Sequence, residues 1–389
     1  MAIFSNNNRI TFGSFLAYFV MSAVISPLGV VSGPIAEHFA IPLTAANASF
    51  TFLTSGVFIG TLIAVFIFDF LGLKKIIIGG ISIICLSIYS IYSIDSFLVF
   101  KICLLLIGIS CGTEMSAAAV VIAKIYDEKM RASMLLLTDS FYSMAGAIST
   151  SLAGIFLAWS WHWSSAYVPA FVAAFCIAAI ALFSRYPDTA RVVPEIESAT
   201  TKVATRWPLS VHVIGLSMMV YLVGFVTIYS WVPNYSQSFL GLSAEASSEV
   251  VSRLFMGMFV GQLIMFFLVL KFSLRALITI YAALATLLTV SLWTVNAAAM
   301  LPLAMLGLGL VTGGLFKTVL SYGTTAVEEP SPKMVSYLIF HAGLGTAIAP
   351  FVSSMVVERF SMLAVLQFAT LCYVLMLALI LIACRLRAN

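Results

Sequence analysis

The chain has 389 residues, 62% of them hydrophobic and 9% charged, with a net charge of +4. A soluble domain carries roughly 25% charged residues, so a water-soluble globule is excluded. The apolar runs are long and do not alternate, which excludes a β-barrel, and the small positive excess is no signature of nucleic-acid binding.

Twelve stretches can each supply the roughly 20 apolar residues that a helical span needs. In chain order they are 10–33, 48–68, 76–94, 97–123, 132–158, 164–184, 209–233, 247–270, 275–295, 298–325, 334–357 and 360–384. The first has no small-residue cleavage site after it and reads as a span, not a signal peptide. Pro34 and Pro42 bracket the first loop, and Asp69 to Lys75 forms a charged turn after span two. Trp159, Trp161 and Trp163 read as an interfacial aromatic cluster. The longest polar stretch, Ser184–Pro208, holds Pro187, Pro194, Glu195, Glu197 and Lys202 and reads as a solvated linker. The expected organisation is a six-span bundle at 1–184, a linker at 185–208 and a second six-span bundle at 209–389. All six cysteines lie in apolar runs without CxxC or metal-ligand spacing, so they read as packing residues. No metal or cofactor is expected.

Basic residues set the expected orientation. Fifteen of the nineteen fall on the side that holds Arg9, Lys124, Arg185 and Lys271. Only Lys101 and Arg359 fall on the other, and Arg253 and Lys317 lie within spans. Both termini and the linker are therefore expected in the cytoplasm of a bacterial cell, with the chain in its inner membrane.

Ionisable groups at membrane depth are costly and rarely face lipid. Glu114 lies ten residues before Lys124, about 15 Å from the cytoplasmic edge at 1.5 Å per residue. Lys317 lies eleven residues before Glu328 at similar depth, in the matching fourth span of the second half. Two readings stand for this couple: a permanent structural ion pair, or a proton-carrying carboxyl working against a cation that binds an anionic group. Asp139, eight residues beyond Arg131, shares a polar face with Ser140, Tyr142 and Ser143. It is either a second proton site or a hydrogen-bonded packing residue. Arg253 in span eight either guides anions or anchors at the interface. His341 titrates near neutrality, or packs beside Ala342 and Gly343. Gln262 is a further polar side chain at useful depth. Gly108 and Gly112 in span four parallel Gly309 and Gly313 in span ten, a spacing that lets helices approach closely.

Six plus six spans with a polar central linker resemble the major facilitator superfamily. Its loop between spans two and three has the form GxxxDxxGxxK/R. Here Asp69, Gly72, Lys74 and Lys75 match, while Val65 replaces the leading glycine and Phe70 the basic residue after the aspartate. Within that superfamily the chain resembles the fucose–proton symporter branch and its TsgA-like members. The resemblance is carried by Thr138–Gly146, Ser230–Tyr235 and Pro330–Lys333. It implies a gating role for the 69–75 loop, a proton site at Glu114, and a cavity lined by spans one, four, seven and ten. That lining singles out Tyr18, Ser22 and Ser26 in span one, and Tyr229, Trp231, Asn234 and Tyr235 in span seven, of which Trp231 and Tyr235 also read as interfacial belt residues. The sugar symporters also use an acid in span one, and stretch 10–33 has none.

The expected function is secondary active, proton-coupled uptake of a small polar solute by alternating access, by a monomer. The solute is a sugar or polyol on the family's side, or an organic anion on the side of Lys317 and Arg253. Export of a carboxylate siderophore or a toxic or amphipathic compound is the alternative, and a solute sensor or facilitator without coupled turnover is a different class. No GxxxxGK[ST], HExxH or GxSxG occurs, so neither ATP-driven pumping nor membrane-enzyme chemistry is indicated.

Overall fold

No water reaches the backbone in a bilayer core, so an apolar stretch must close its hydrogen bonds within itself and becomes a helix. The computed structural model describes residues 5–187, 207–294, 298–327 and 332–387, and contains fourteen α-helices and no strand among them. Twelve segments are long and apolar enough to cross a membrane, and all twelve coincide with the expected spans. Span one is α1 (Asn6–Ile25) followed by α2 (Leu28–His38). Spans two to six are α3 (Leu43–Phe70), α4 (Leu73–Ser93), α5 (Phe97–Ile125), α6 (Glu128–Ala158) and α7 (Val168–Phe183). Spans seven to nine are α8 (Leu209–Leu240), α9 (Ala244–Leu268) and α10 (Leu274–Thr294). Span ten is α11 (Leu301–Thr312) plus α12 (Leu315–Thr324), and spans eleven and twelve are α13 (Pro332–Arg359) and α14 (Met362–Leu386). Residues 188–206, most of the expected linker, lie outside the described residues, as do Glu328, Pro330 and Ser331.

Short polar residues start several helices. Ser5, Asp127, Ser243 and Ser361 each accept a hydrogen bond from the backbone N–H three residues on, which satisfies one orphan donor per helix. Helix α8 ends on Gly241 at φ +66°, a conformation that glycine adopts without a Cβ penalty.

Three expectations are corrected. Pro34 does not open the first loop: it lies inside α2, which continues to His38. Span seven does not stop at Pro233 but runs through it to Leu240, so Trp231 and Tyr235 are buried helix residues and not belt residues at an interface. Trp163 is buried as well, its ring 5.4 Å from that of Phe100 and 5.9 Å from that of Phe39; only Trp159 and Trp161 of the three tryptophans are exposed.

Glycines set the packing. A Cβ on Gly56 or Gly60 of α3 would fall on backbone of α5, and one on Gly108 or Gly112 would fall on backbone of α3. Gly257 and Gly261 of α9 stand in the same relation to Gly309 and Gly313 of span ten. Each of the first four glycines is 201 positions before its counterpart, so one crossing is built twice. Close backbone approach of this kind replaces the hydrophobic drive that lipid cannot supply.

The two sets of six spans meet along α6 with α9, α3 with α13, and α2 with α8. Thr54 Oγ1 donates to the Ala347 carbonyl at 3.0 Å, and Gly146 accommodates the Phe255 ring. These two contacts also match under the 201-residue shift. On the face opposite the chain ends, α2 and α8 touch backbone to backbone: a Cβ on Gly29 would lie 2.5 Å from the carbonyl oxygens of Tyr229 and Ser230. Asn234 Nδ2 donates to Gly29 O at 3.0 Å and Ser32 Oγ at 2.9 Å, and Asn47 Nδ2 donates to Ser230 O at 3.2 Å. The opposite face is thereby sealed.

Candidate functional site

Four helices bring polar side chains into the gap between the two sets of spans. Helix α6 presents Thr138, Asp139, Tyr142 and Ser143, spaced so that all four share one face. Helix α12 presents Lys317 from its first turn, because span ten breaks at Gly313–Gly314 and restarts at Leu315. In that turn N–H groups lack helical acceptors and the positive end of the helix dipole adds to the ammonium charge.

Lys317 Nζ lies 3.2 Å from Asp139 Oδ2, an ion pair that joins the two sets of spans. The lysine side chain is 55% exposed and the aspartate 21%. Ser321, one turn further along α12, is also exposed. A lysine and a serine on a face that met lipid would be costly, so this face looks onto water in the gap. Tyr18 of α1 reaches the Thr138 side chain, and Tyr18 and Tyr142 both sit within electrostatic reach of Asp139. Ser22 lies beside Tyr142, which in turn neighbours Tyr229. Gln262 Nε2 of α9 donates to Ser143 Oγ at 3.1 Å, while its buried Oε1 has no partner.

The expected couple of Glu114 with Lys317 is therefore not the one that forms; Lys317 pairs with Asp139. Glu114 is only 2% exposed and turns away from the gap, into the first six spans. A Cβ on Gly80 of α4 would collide with its carboxyl group, so that glycine makes room for it. Its Oε1 has no hydrogen-bond partner. Tyr186, just past the end of span six, is held above its ordinary value by burial first and by the Glu114 charge second, which places the two close together.

The other expected site residues divide. Tyr18, Ser22 and Gln262 join the Asp139–Lys317 cluster. Asn234 belongs to the seal. Trp231 Nε1 donates to Ser353 Oγ of α13 at 3.0 Å, and Tyr235 stacks on Phe239 at 5.1 Å. His341 Nδ1 donates to the Tyr337 carbonyl at 2.9 Å and packs against Gly215, within the last six spans. Arg253 pairs with Glu249 on its own helix, with Nε at 3.2 Å. In the loop after span two, Gly72 caps α4, Lys75 is exposed, and Lys74 Nζ donates to the Leu182 and Ser184 carbonyls at 3.2 and 3.1 Å, closing the C-terminus of α7. The Asp69 side chain lies outside the described set. Gly29 and Asn47 were not singled out from the sequence; an asparagine opening an apolar span was the available signal for the second.

Residues 10–330 match the family model of the Major Facilitator Superfamily. The chain belongs to the major facilitator superfamily. It is 28% identical over 357 residues to a Protein TsgA homolog of Edwardsiella ictaluri, covering 91% of this chain and 90% of that one. The solved D-xylose–proton symporter superposes with a TM-score of 0.74 at 14% identity, over 96% of this chain and 97% of that one. FucP in the outward conformation gives 0.63 at 14% identity, over 97% and 99%. At these identities the structures show a shared fold. The chain is a multi-pass membrane protein of a transporter family, and that family does not generally consist of enzymes.

Proposed function

We propose that this chain is a proton-coupled secondary active transporter that carries a small organic anion into the cell by alternating access. It works as a monomer in the bacterial inner membrane with both termini in the cytoplasm. The observation that carries the reading is the Asp139–Lys317 pair, which spans the gap and is half open to water. A proton on Asp139 neutralises the carboxylate and frees Lys317, at the positive start of α12, to hold an anionic group. Loss of that proton restores the pair and displaces the anion. Binding and protonation are coupled because each breaks the same Asp139–Lys317 contact, so either one eases the other. Seal and gap exchange roles when Asn234 releases Gly29 and Ser32.

The shared fold with the D-xylose–proton symporter and FucP supports a sugar or polyol as the alternative solute. The lysine in the gap, and the absence of an acid in residues 10–33, favour the anion. Glu114 is proposed as a secondary proton holder, exchanging by way of Tyr186, since it does not face the gap.

The test is internal acidification of vesicles holding a pH dye, after adding pooled carboxylates or pooled sugars. Acidification with carboxylates that vanishes in Asp139→Asn and persists in Glu114→Gln is expected. Acidification with sugars alone, or carboxylate-driven acidification that survives in Asp139→Asn, overturns the assignment.

A further inference from the structure

Spans three and six end on the sealed face with side chains that the gap does not use. Tyr89, Tyr92 and Asp95 follow one another at helical spacing around the end of α4, and Trp161 and His162 lie in the turn before α7. His38 at the end of α2 meets Asp95 Oδ1 through Nε2 at 2.9 Å. Its ring lies 5.1 Å from that of His162, which meets Tyr92 edge-on at 6.3 Å. Beside them a cavity of about 530 Å³ opens between the two spans.

Its mouth is aromatic and polar, formed by Tyr92, Trp161 and His162, and its floor is Ile88, Val168 and Phe171. Ile88 is five residues before the end of α4 and Phe171 three beyond the start of α7, so the floor lies roughly 5–8 Å inside the helix ends, where headgroups give way to acyl chains. A polar mouth at interface depth over an apolar floor suits an amphiphile, not a soluble solute. Charge narrows the class. Asp95, three residues beyond Tyr92 and bonded to His38, supplies a carboxylate beside the mouth, while burial and the neighbouring His38 hold His162 below its ordinary imidazole value and so neutral near pH 7. The exposed faces of Tyr89, Tyr92 and Trp161 attract cations.

We propose that this cavity seats one phospholipid of the leaflet on the sealed face, its acyl chain on the Ile88–Val168–Phe171 floor and a primary-ammonium headgroup between the aromatic faces and Asp95. The lipid class is phosphatidylethanolamine. This site is separate from the gap and does not depend on what the gap carries.

The experiment uses the full chain in nanodiscs doped with phosphatidylethanolamine carrying a photoreactive acyl group, with phosphatidylglycerol bearing the same group as comparison. Adducts are mapped by peptide mass spectrometry. Adducts concentrated on the segment holding Val168 and Phe171, stronger with the ethanolamine lipid, are expected. Removing one cation–π face or the carboxylate, in Trp161→Ala or Asp95→Asn, is expected to weaken labelling about fivefold. Both residues are exposed, and the near-isosteric Asp95→Asn keeps the test valid should Trp161→Ala fold poorly. Equal labelling by both lipids, adducts spread evenly over the lipid-facing spans, or labelling unchanged in Asp95→Asn overturns the proposal.

Discussion

Removing Lys317 and removing Asp139 should have unequal costs. At 3.2 Å the pair attracts by about 5 kcal/mol at an effective dielectric of ~20, before solvent screening. The lysine is more than half exposed, so most of that attraction is offset by water at its own end. The aspartate is four-fifths covered, and without its partner the carboxylate keeps its desolvation cost. Lys317→Ala is therefore expected to destabilise by roughly 1–3 kcal/mol, and Asp139→Asn by under about 1 kcal/mol, because its amide still fits and the freed lysine can hydrate. The double variant should be more stable than Lys317→Ala alone, since it removes the stranded charge. Thermal melting of the purified protein measures all four species, and the double-mutant cycle isolates the coupling. Equal single costs, or additivity within about 0.5 kcal/mol, would falsify the claim that the pair is asymmetric and coupled.

Three further outcomes follow from the packing. Gly60→Ala should cost about 3 kcal/mol or prevent folding, because its Cβ meets the Ile109 backbone, while Gly79→Ala, with open space around it, should be silent; melting temperatures of the two decide. Gly29→Ala should prevent closure of the sealed face, so in that background an impermeant maleimide added from that side should label Tyr229→Cys, beside Tyr142 in the gap, faster than it labels Tyr229→Cys alone; unchanged labelling counts against α2 and α8 as the seal. His162, held below 6.5, favours the folded state above that value, and the benefit is lost as pH falls through the lowered one. Melting temperature should drop more between about pH 7.5 and pH 5 in the parent than in His162→Asn, and parallel drops would contradict this.

Much of the fold was legible because lipid imposes a simple rule: each stretch of about 20 apolar residues must be a helix. All twelve spans could be read that way. Helix continuation past Pro34 and Pro233 was not legible, because whether a proline ends or merely interrupts a helix depends on its tertiary neighbours. The site was legible in composition but not in pairing. Sequence depth placed Glu114 and Lys317 at one level, and depth leaves open which way a side chain faces. Gly80 decides that for Glu114, since an open position on α4 admits its carboxyl group into the first six spans. Asp139 takes Lys317 because α6 lies at the meeting of the two sets and α5 does not.

The 201-residue register makes the same point from the other direction. Glycine crossings and the Thr54–Ala347 and Gly146–Phe255 contacts recur at that interval, so they answer a demand both sets of spans share: close packing in lipid. Charges at the helix ends recur in part, Lys74 with Arg275 and Asp127 with Glu328, but those at membrane depth do not. Glu114 corresponds to Leu315, Lys317 to Ser116 and Asp139 to Phe340. A requirement of folding alone would fall on both sets equally, because both fold in the same solvent. Charges present in only one copy at each position, at a cost lipid does not refund, point to a demand that the two sets do not share. Under the proposed mechanism that demand is a single site holding one anion and one proton, which needs one lysine from one set and one carboxylate from the other.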